Sequence, residues 1–368
     1  LTHRPDRQVR GCIMSNLRQV RISVIGAGLI GERHARTVAG HPDCALAAVI
    51  DPDQTKHLLA AELGASACHT LDKLPADGCD AVIVATPNGL HLPQGLACLE
   101  RGLPCLIEKP IADTIASGQA LSDAFAAAGV PLLIGHHRRY HPFVDAARTL
   151  IESGDIGAPV FASIIWAVRK PHSYFDKGRW RLGSDGGPLL INLIHEIDLM
   201  RCILGPLDTV QAIISNRQRG GQVEDTAAVL VQFESGVLAT VTMSDAALTP
   251  WSFEGASAEN PNIAETGISS WRIGCTHGAF EFPGLRVWRH AGDGEGDWSK
   301  PLADATINAE RVTPLHEQLS HFVALVRGEI DRPAVDGYDG VASLQAIAAI
   351  RRSAELSRPV EVATIEDV

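Results

Sequence analysis

The sequence predicts an α/β unit built on a doubly wound parallel sheet, followed by an α+β unit dominated by antiparallel strands. Three observations carry this. Over residues 21–135 short apolar runs alternate with helix-like segments, the pattern of a parallel sheet covered by helices on both faces. A glycine-rich turn, Gly26-Ala27-Gly28-Leu29-Ile30-Gly31, joins the first run to the first helix. After about residue 137 the alternation stops, and strand-like runs follow one another with turn residues between them. At 368 residues the chain is too long for one ordinary core, so two domains are expected, at 20–137 and 138–368, the second including C-terminal helices.

In the first unit the strand-like runs are 21–25, 45–50, 81–85, 104–107 and 131–135, and the helices between them 29–39, 53–63, 91–101 and 113–128. Gly129-Val130-Pro131 separates the last helix from the last strand. In the second, a helix at 142–152 leads to a long strand at 158–168 and an unusually apolar helix at 187–204. Strands are then expected at 208–215, 225–233, 236–244, 269–275, 279–282 and 285–289, with a hairpin turn at Ser235-Gly236. Residues 250–266 and 291–300 read as loops, and 313–328 and 338–357 as helices. Residues 1–19 are expected to form a disordered extension, with Met14 as a candidate start; their basic, apolar-poor character is not that of a signal peptide.

Composition narrows the function classes. A formal net charge of −11 argues against nucleic acid or an acidic membrane surface as the main partner. Eight cysteines lie scattered without CxxC spacing, which suggests a reducing cytoplasm and no zinc or other metal site. No apolar run reaches the ~18 residues of a membrane span.

The glycine turn is the strongest motif. Gly26 permits a tight turn, Gly28 lets backbone approach a pyrophosphate, and Gly31 lets helix pack close to strand. The helix N-terminus offers free N–H groups and a positive dipole end to phosphates. Asp51, 20 residues after Gly31 and ending the next apolar run, is placed to accept hydrogen bonds from a ribose and to repel a 2′-phosphate. The implied cofactor is NAD rather than NADP. Leu29 and Ile30 complete the turn, and Thr86-Pro87-Asn88 with His91, after the run at 81–85, should face the same ligand; a plain strand-to-helix loop is the alternative.

Glu108-Lys109-Pro110 ends the run at 104–107. Ligands of doubly wound sheets lie at the carboxyl ends of strands, which puts Glu108 and Lys109 near the reactive end of a cofactor. A lysine ammonium there stabilises a developing alkoxide; a surface Glu108–Lys109 salt bridge beside a turn proline is the competing reading. On the apolar helix, Asn192, His195 and Asp198 recur at spacing three. His195 has the pKa for proton exchange near neutrality, although a histidine there is ordinarily a core residue paired with a neighbour such as Asp198. Gly135-His136-His137-Arg138-Arg139-Tyr140-His141-Pro142, at the domain junction, serves a substrate or pins the domains together; Arg138 and Tyr140 are its candidate substrate contacts, with Trp166 from the long strand. The loop 169–181 is basic, with Arg169, Lys170, His172, Lys177, Arg179 and Arg181; it either attracts an anionic substrate group through Arg169 and its neighbours or is a solvated loop.

Taken together, GAGLIG at 26–31, ATPNGLH at 85–91, EKP at 108–110, GHHRRYHP at 135–142 and GGPLLINLIHEID at 186–198 resemble the Gfo/Idh/MocA oxidoreductases over most of residues 20–360. The resemblance implies a Rossmann domain, a C-terminal domain with a large open antiparallel sheet whose outer face packs in homodimers or homotetramers, and NAD(P) facing a small-molecule substrate between the domains. It implies Lys109 as catalytic lysine and His195 as its partner. Many members carry an aspartate four residues before the histidine; here that position is Ile191, and Asn192 is the candidate replacement. The expected activity is NAD-dependent oxidation of a sugar, cyclic polyol or related hydroxy acid. The alternatives are reduction of a ketosugar or keto acid by NAD(P)H, and a nucleotide-sensing regulator on the same fold.

Overall fold

The computed structural model describes residues 18–176, 178–183, 186–292 and 296–366. The expected extension at 1–19, Met14 included, falls almost wholly outside the described residues, as do Cys12 and Lys177.

The first sheet has six parallel strands: β1 (Val20–Ile25), β2 (Cys44–Ile50), β3 (Ser66–Cys68), β4 (Ala81–Val84), β5 (Cys105–Ile107) and β6 (Leu132–Ile134), in the order β3-β2-β1-β4-β5-β6. Helices α1 (Leu29–Gly40), α2 (His57–Glu62), α3 (His91–Glu100) and α4 (Ile115–Ala128) connect them. β4, β5 and β6 are buried at every residue, as strands covered on both faces must be. The order reverses between β1 and β4, so the carboxyl ends of these two strands flank the crevice where such sheets bind ligands.

After α5 (Pro142–Glu152) a second, nine-stranded sheet begins with β7 (Pro159–Ala167). The short α6 (His172–Asp176) and a π turn over Leu189–Leu193 precede α7 (Ile194–Leu204). Then come β8 (Leu207–Ser215), β9 (Thr226–Phe233), β10 (Leu238–Ser244), α8 (Phe253–Ser257), β11 (Trp271–Cys275), β12 (Gly278–Phe282), β13 (Arg286–His290) and β14 (Leu302–Thr306). Helices α9 (Pro314–Val326) and α10 (Gly337–Leu356) and the short β15 (Val360–Glu361) close the chain. The order is β14-β13-β12-β11-β7-β10-β9-β8-β15, antiparallel except where β7 and β10 pair in parallel. The hairpin expected at Ser235-Gly236 is present, with Gly236 at φ +86 and the Phe233 N–H donating to the Val237 carbonyl.

β9 and β10 alternate buried and exposed residues, so one face of this sheet is core. The other face carries Phe161, Ile213, Leu230 and Leu238, each more than half exposed. Phe161 and Leu238 are direct cross-strand partners, as are Leu230 and Thr240. α10 packs against β8 and α7 on one side and against α4 and β6 on the other, tying the two sheets together. Among the described residues no helix is long and apolar enough to cross a membrane.

Five elements depart from expectation, among them α6, which lies in the loop expected at 169–181. β3, β14 and β15 were unforeseen: β3 has three residues, β15 two, and β14 is an exposed edge strand, so none has an apolar run to announce it. The loop expected at 250–266 contains α8, capped by the Ser252 hydroxyl, which accepts from the Gly255 N–H at 3.0 Å.

Candidate active site

The glycine turn shows why each glycine is there. Gly26 has φ +87, and a Cβ on it would lie 2.7 Å from the Ala85 carbonyl oxygen. A Cβ on Gly31 would lie 1.8 Å from the Gly26 carbonyl oxygen, so α1 can approach the turn only with glycine there. Gly28 differs: its φ is −69, and a Cβ on it would meet nothing within 4 Å. The open space over Gly28 lies at the N-terminus of α1, whose cap supplies no side-chain hydrogen bond, leaving N–H groups aimed into it. Asp51 sits beside this space. Its carboxylate accepts from the Ala27 N–H at 2.7 Å and the Asp53 N–H at 2.9 Å, which pins it to the turn with lone pairs to spare for ribose hydroxyls. Leu29 is exposed at the mouth and Ile30 half-buried. These residues fit a dinucleotide: an open cradle, orphan amides and a fixed acceptor.

At the ends of β4 and β5, Pro87 is exposed and Asn88 half-buried, and Thr86 donates its hydroxyl to Gln94 Oε1 at 2.6 Å. His91 is fully buried. Its Nδ1 lies 2.9 Å from the Pro110 carbonyl and its Nε2 2.9 Å from the Thr86 carbonyl. It therefore straps the two loops together and is withdrawn as a cofactor contact. Glu108 is also withdrawn, and the surface Glu108–Lys109 salt bridge with it. The Glu108 carboxylate turns inward onto His34 Nε2 of α1 at 2.8 Å, both side chains almost fully buried. Burial alone would raise its pKa, but the His34 hydrogen bond, with the charges of His34, Lys109 and His137, brings it down to about 2.

Lys109, followed by a cis bond to Pro110, reaches from β5 to the π turn, where its ammonium donates to the Ile191 carbonyl at 3.1 Å. Burial pushes its pKa down, opposed by Glu108. Widened turns of this kind gather at functional sites. One turn further on, His195 is buried, with Nδ1 lacking any hydrogen-bond partner. The His137 and His136 rings stand edge-on to it at centroid distances of 5.2 and 6.1 Å. Burial, with Arg138 and Lys109 nearby, pushes the His195 pKa well below its usual value, so the imidazole is neutral in the resting site. The expected Asp198–His195 pairing is absent: Asp198 instead holds Arg139 through both carboxylate oxygens, at 2.7–3.0 Å.

Asn192 is oriented by Lys170 of the basic loop. Its Oδ1 accepts from Lys170 Nζ at 2.6 Å. That ammonium lies 3.6 Å from Asp245 Oδ2 and 4.9 Å over the Tyr174 ring; burial pushes its pKa down to about 8. Arg169, the expected substrate contact, is exposed, and Lys170 takes its place by the parity of extended backbone. Ala162, Ile164 and Trp166 are buried even-numbered positions on β7, a signal that would have favoured Lys170. The rest of the basic loop divides: Arg179 and His172 are exposed, and Arg181 stacks on Tyr174 at 4.0 Å.

Three further candidates leave the site. Trp166 is sealed beneath Lys170, with its indole N–H donating to Glu254 Oε2 at 2.9 Å. Tyr140 faces His321 of α9, ring centroids 5.3 Å apart. Arg138 is buried in a cage of three glutamates: NH1 to Glu196 at 2.8 Å, Nε to Glu259 at 2.8 Å, and NH2 to Glu254. All three of its nitrogens are held by carboxylates, so it joins the junction rather than contacting substrate. The residues brought together are thus Lys109, Asn192 and His195, with Lys170, Tyr174 and His137 beside them.

Residues 20–136 match the oxidoreductase family described as having an NAD-binding Rossmann fold, and residues 144–280 match the GFO/IDH/MocA C-terminal domain. The chain is 29% identical to inositol 2-dehydrogenase 1 of Saccharopolyspora erythraea over 360 residues, covering 93% of this chain and 96% of that protein. It is 30% identical to 1,5-anhydro-D-fructose reductase of Ensifer adhaerens over 294 residues, covering 77% and 80%. An oxidoreductase from Agrobacterium radiobacter, solved with NAD+, L-tartaric acid and magnesium, shares the fold at a TM-score of 0.78 and 18% identity, covering 94% of this chain and 99% of that one. With both units matched in order and the dinucleotide cradle intact, the chain belongs to the Gfo/Idh/MocA family of NAD-binding oxidoreductases.

Proposed function

We propose that the protein is an NAD-dependent dehydrogenase that oxidises a carbinol of a sugar, a cyclic polyol or a related hydroxy acid. The observation that carries this reading is the convergence of Lys109, from the first unit, on the turn of the second that bears Asn192 and His195. The bound nicotinamide supplies a hydride acceptor. Lys109 holds the substrate oxygen and stabilises its negative charge as the proton leaves. His195, a neutral imidazole, takes that proton. Asn192, fixed by Lys170, presents its amide N–H groups to neighbouring hydroxyls. Asp51 favours NAD, because its carboxylate opposes a 2′-phosphate.

The ammonium of Lys170 beside Asn192, with Arg181 across the Tyr174 ring, supports a substrate that carries a negative group, such as a sugar acid. The apolar outer face of the nine-stranded sheet supports a homo-oligomer. Reduction of a ketosugar is the same step reversed, with the same groups in the same places. A sensor without chemistry would have no use for Lys109 and His195. The test is a panel of polyols, aldoses and sugar acids followed by NADH absorbance in both directions. Turnover of at least one member, with sugar acids ahead and Lys170→Met raising their KM, is expected; no turnover anywhere on the panel removes the dehydrogenase reading.

A further inference from the structure

A proton taken by His195 must go somewhere, and the position four residues before it is Ile191, which cannot carry one. Two imidazoles face His195, and each meets a carboxylate. His136 Nδ1 lies 3.8 Å from Asp198 Oδ2, and His137 Nε2 lies 3.7 Å from Glu259 Oε2. The two branches are not equivalent. Asp198 has both oxygens engaged by Arg139. Glu259 gives one oxygen to Arg138, while Oε2 is buried without any hydrogen-bond partner. His137 Nδ1 is likewise buried and unpartnered, and the His137 ring is the nearer of the two to His195. Unpaired buried polar atoms are costly, and here five of them, one each on His195, His137 and Glu259 and two on the neighbouring His136, lie in one cluster.

We propose that His137 and Glu259 form the exit route for the substrate proton: His195 passes it to one nitrogen of His137, which releases the proton on its other nitrogen to Oε2 of Glu259. This rests on the dehydrogenase reading. The carbinol loses its C–H hydrogen as hydride to the oxidised dinucleotide, its O–H proton goes to His195, and the O–H bonding pair becomes the second bond of the carbonyl. The proton then reaches the Glu259 carboxylate, which becomes a neutral acid, and His195 and His137 return to neutral imidazoles. Rotation of the His137 ring and the Glu259 carboxylate closes each gap. The surroundings suit the direction of flow. Glu259 faces Arg138, Glu254, Arg33 and His137; burial pushes its pKa up to about 7, with Arg138 opposing. His137 faces Arg138, Glu108, Arg33, Lys109 and His195; burial pushes it down to about 3, so it relays a proton without keeping it. The loop that carries Glu259 surfaces on either side of it, at Ala258 and at Pro261.

The test uses the full chain and the variants Glu259→Gln, His137→Gln and both together. Burial also pushes the Glu196 carboxyl in the same Arg138 cage up to about 7, so without substrate, infrared difference spectra between about pH 5 and 9 should show two carboxylic acid contributions titrating near neutrality, of which Glu259→Gln removes one. With a substrate from the panel, each single variant should lower kcat by about tenfold and the double variant no further, since the two act in series. In the oxidation direction kcat should rise with pH through neutrality in the wild type, and that limb should vanish in Glu259→Gln. An infrared signal that Glu259→Gln leaves unchanged overturns the route. So does normal kcat in both single variants, or a loss of kcat with an unchanged pH profile, which is what a merely structural role predicts. No turnover on the whole panel would refute the dehydrogenase reading and the route together, whereas those three results refute the route alone.

Discussion

Replacing Gly28 with alanine separates two reasons for a glycine turn, its backbone and its space. Gly28 has φ −69 and ψ −168, a conformation alanine adopts freely, and an added Cβ would touch nothing within 4 Å. Folding therefore loses nothing, and the reduced freedom of the unfolded chain gives roughly 0.4–1 kcal/mol of added stability. Binding is a different matter, because the methyl would stand where a pyrophosphate must approach the amides of α1. Losing two hydrogen bonds to a charged group, at about 1.5–3 kcal/mol each with partial replacement by water, leaves a deficit near 3 kcal/mol. That corresponds to about a hundredfold weaker binding. Thermal melting together with NADH fluorescence titration measures both effects on one sample. Gly31→Ala is the control with the opposite logic. Its Cβ would lie 1.8 Å from a carbonyl oxygen, so α1 must shift, costing about 1–3 kcal/mol and lowering the melting temperature as well as affinity. If Gly28→Ala binds NADH as tightly as the wild type, the space above Gly28 is not the phosphate cradle and the reasoning is wrong.

Lys109→Ala and His195→Ala should each lower kcat by about a hundredfold or more while NAD affinity stays nearly intact, as steady-state kinetics on folded variants will show. Asp51→Ser should narrow the preference for NAD over NADP by about tenfold, read by titration with both reduced cofactors. His34→Ala would leave the buried Glu108 carboxylate without its side-chain partner, holding only the Lys109 N–H at 3.1 Å, at a cost of about 3 kcal/mol in urea unfolding near neutral pH. Because the Glu108 pKa is depressed to about 2 in the folded protein, its contribution is present above its ordinary value of 4.5 and is lost as pH falls toward about 2. The gap between wild type and His34→Ala should close over that same window. Phe161→Glu with Leu230→Glu, on the exposed sheet face, should yield monomers in light scattering; an unchanged particle mass would place the subunit contact elsewhere.

The first sheet was legible because parallel strands buried on both faces must be continuous apolar runs, and glycine turns announce themselves by residue type. Strands that bury little, such as β3 and β14, leave no such mark. In the site, Lys109 and His195 were visible from their motifs, since position at a strand's end or on an apolar helix constrains them. The fates of Arg138, Tyr140, Trp166, His91 and Glu108 were not. Each is polar or amphipathic in a motif that suggests exposure, yet each is turned inward by a partner far along the chain: Glu196 for Arg138, Glu254 for Trp166 and His34 for Glu108. Lys170 was visible in the basic loop, but its tie to Asn192, 22 residues away, was hidden for the same reason.

The hydrogen bond from Lys109 to the Ile191 carbonyl has an entropic consequence. A free lysine side chain gives up on the order of 1.5–2 kcal/mol of rotamer freedom when it is immobilised. Here that loss belongs to folding, since the ammonium is already anchored across the cleft. An ammonium has three donors, and the carbonyl uses one, so two remain for an incoming oxygen without breaking the anchor. The substrate therefore meets a cation whose place is settled beforehand, and none of its binding energy goes into arresting a flexible chain.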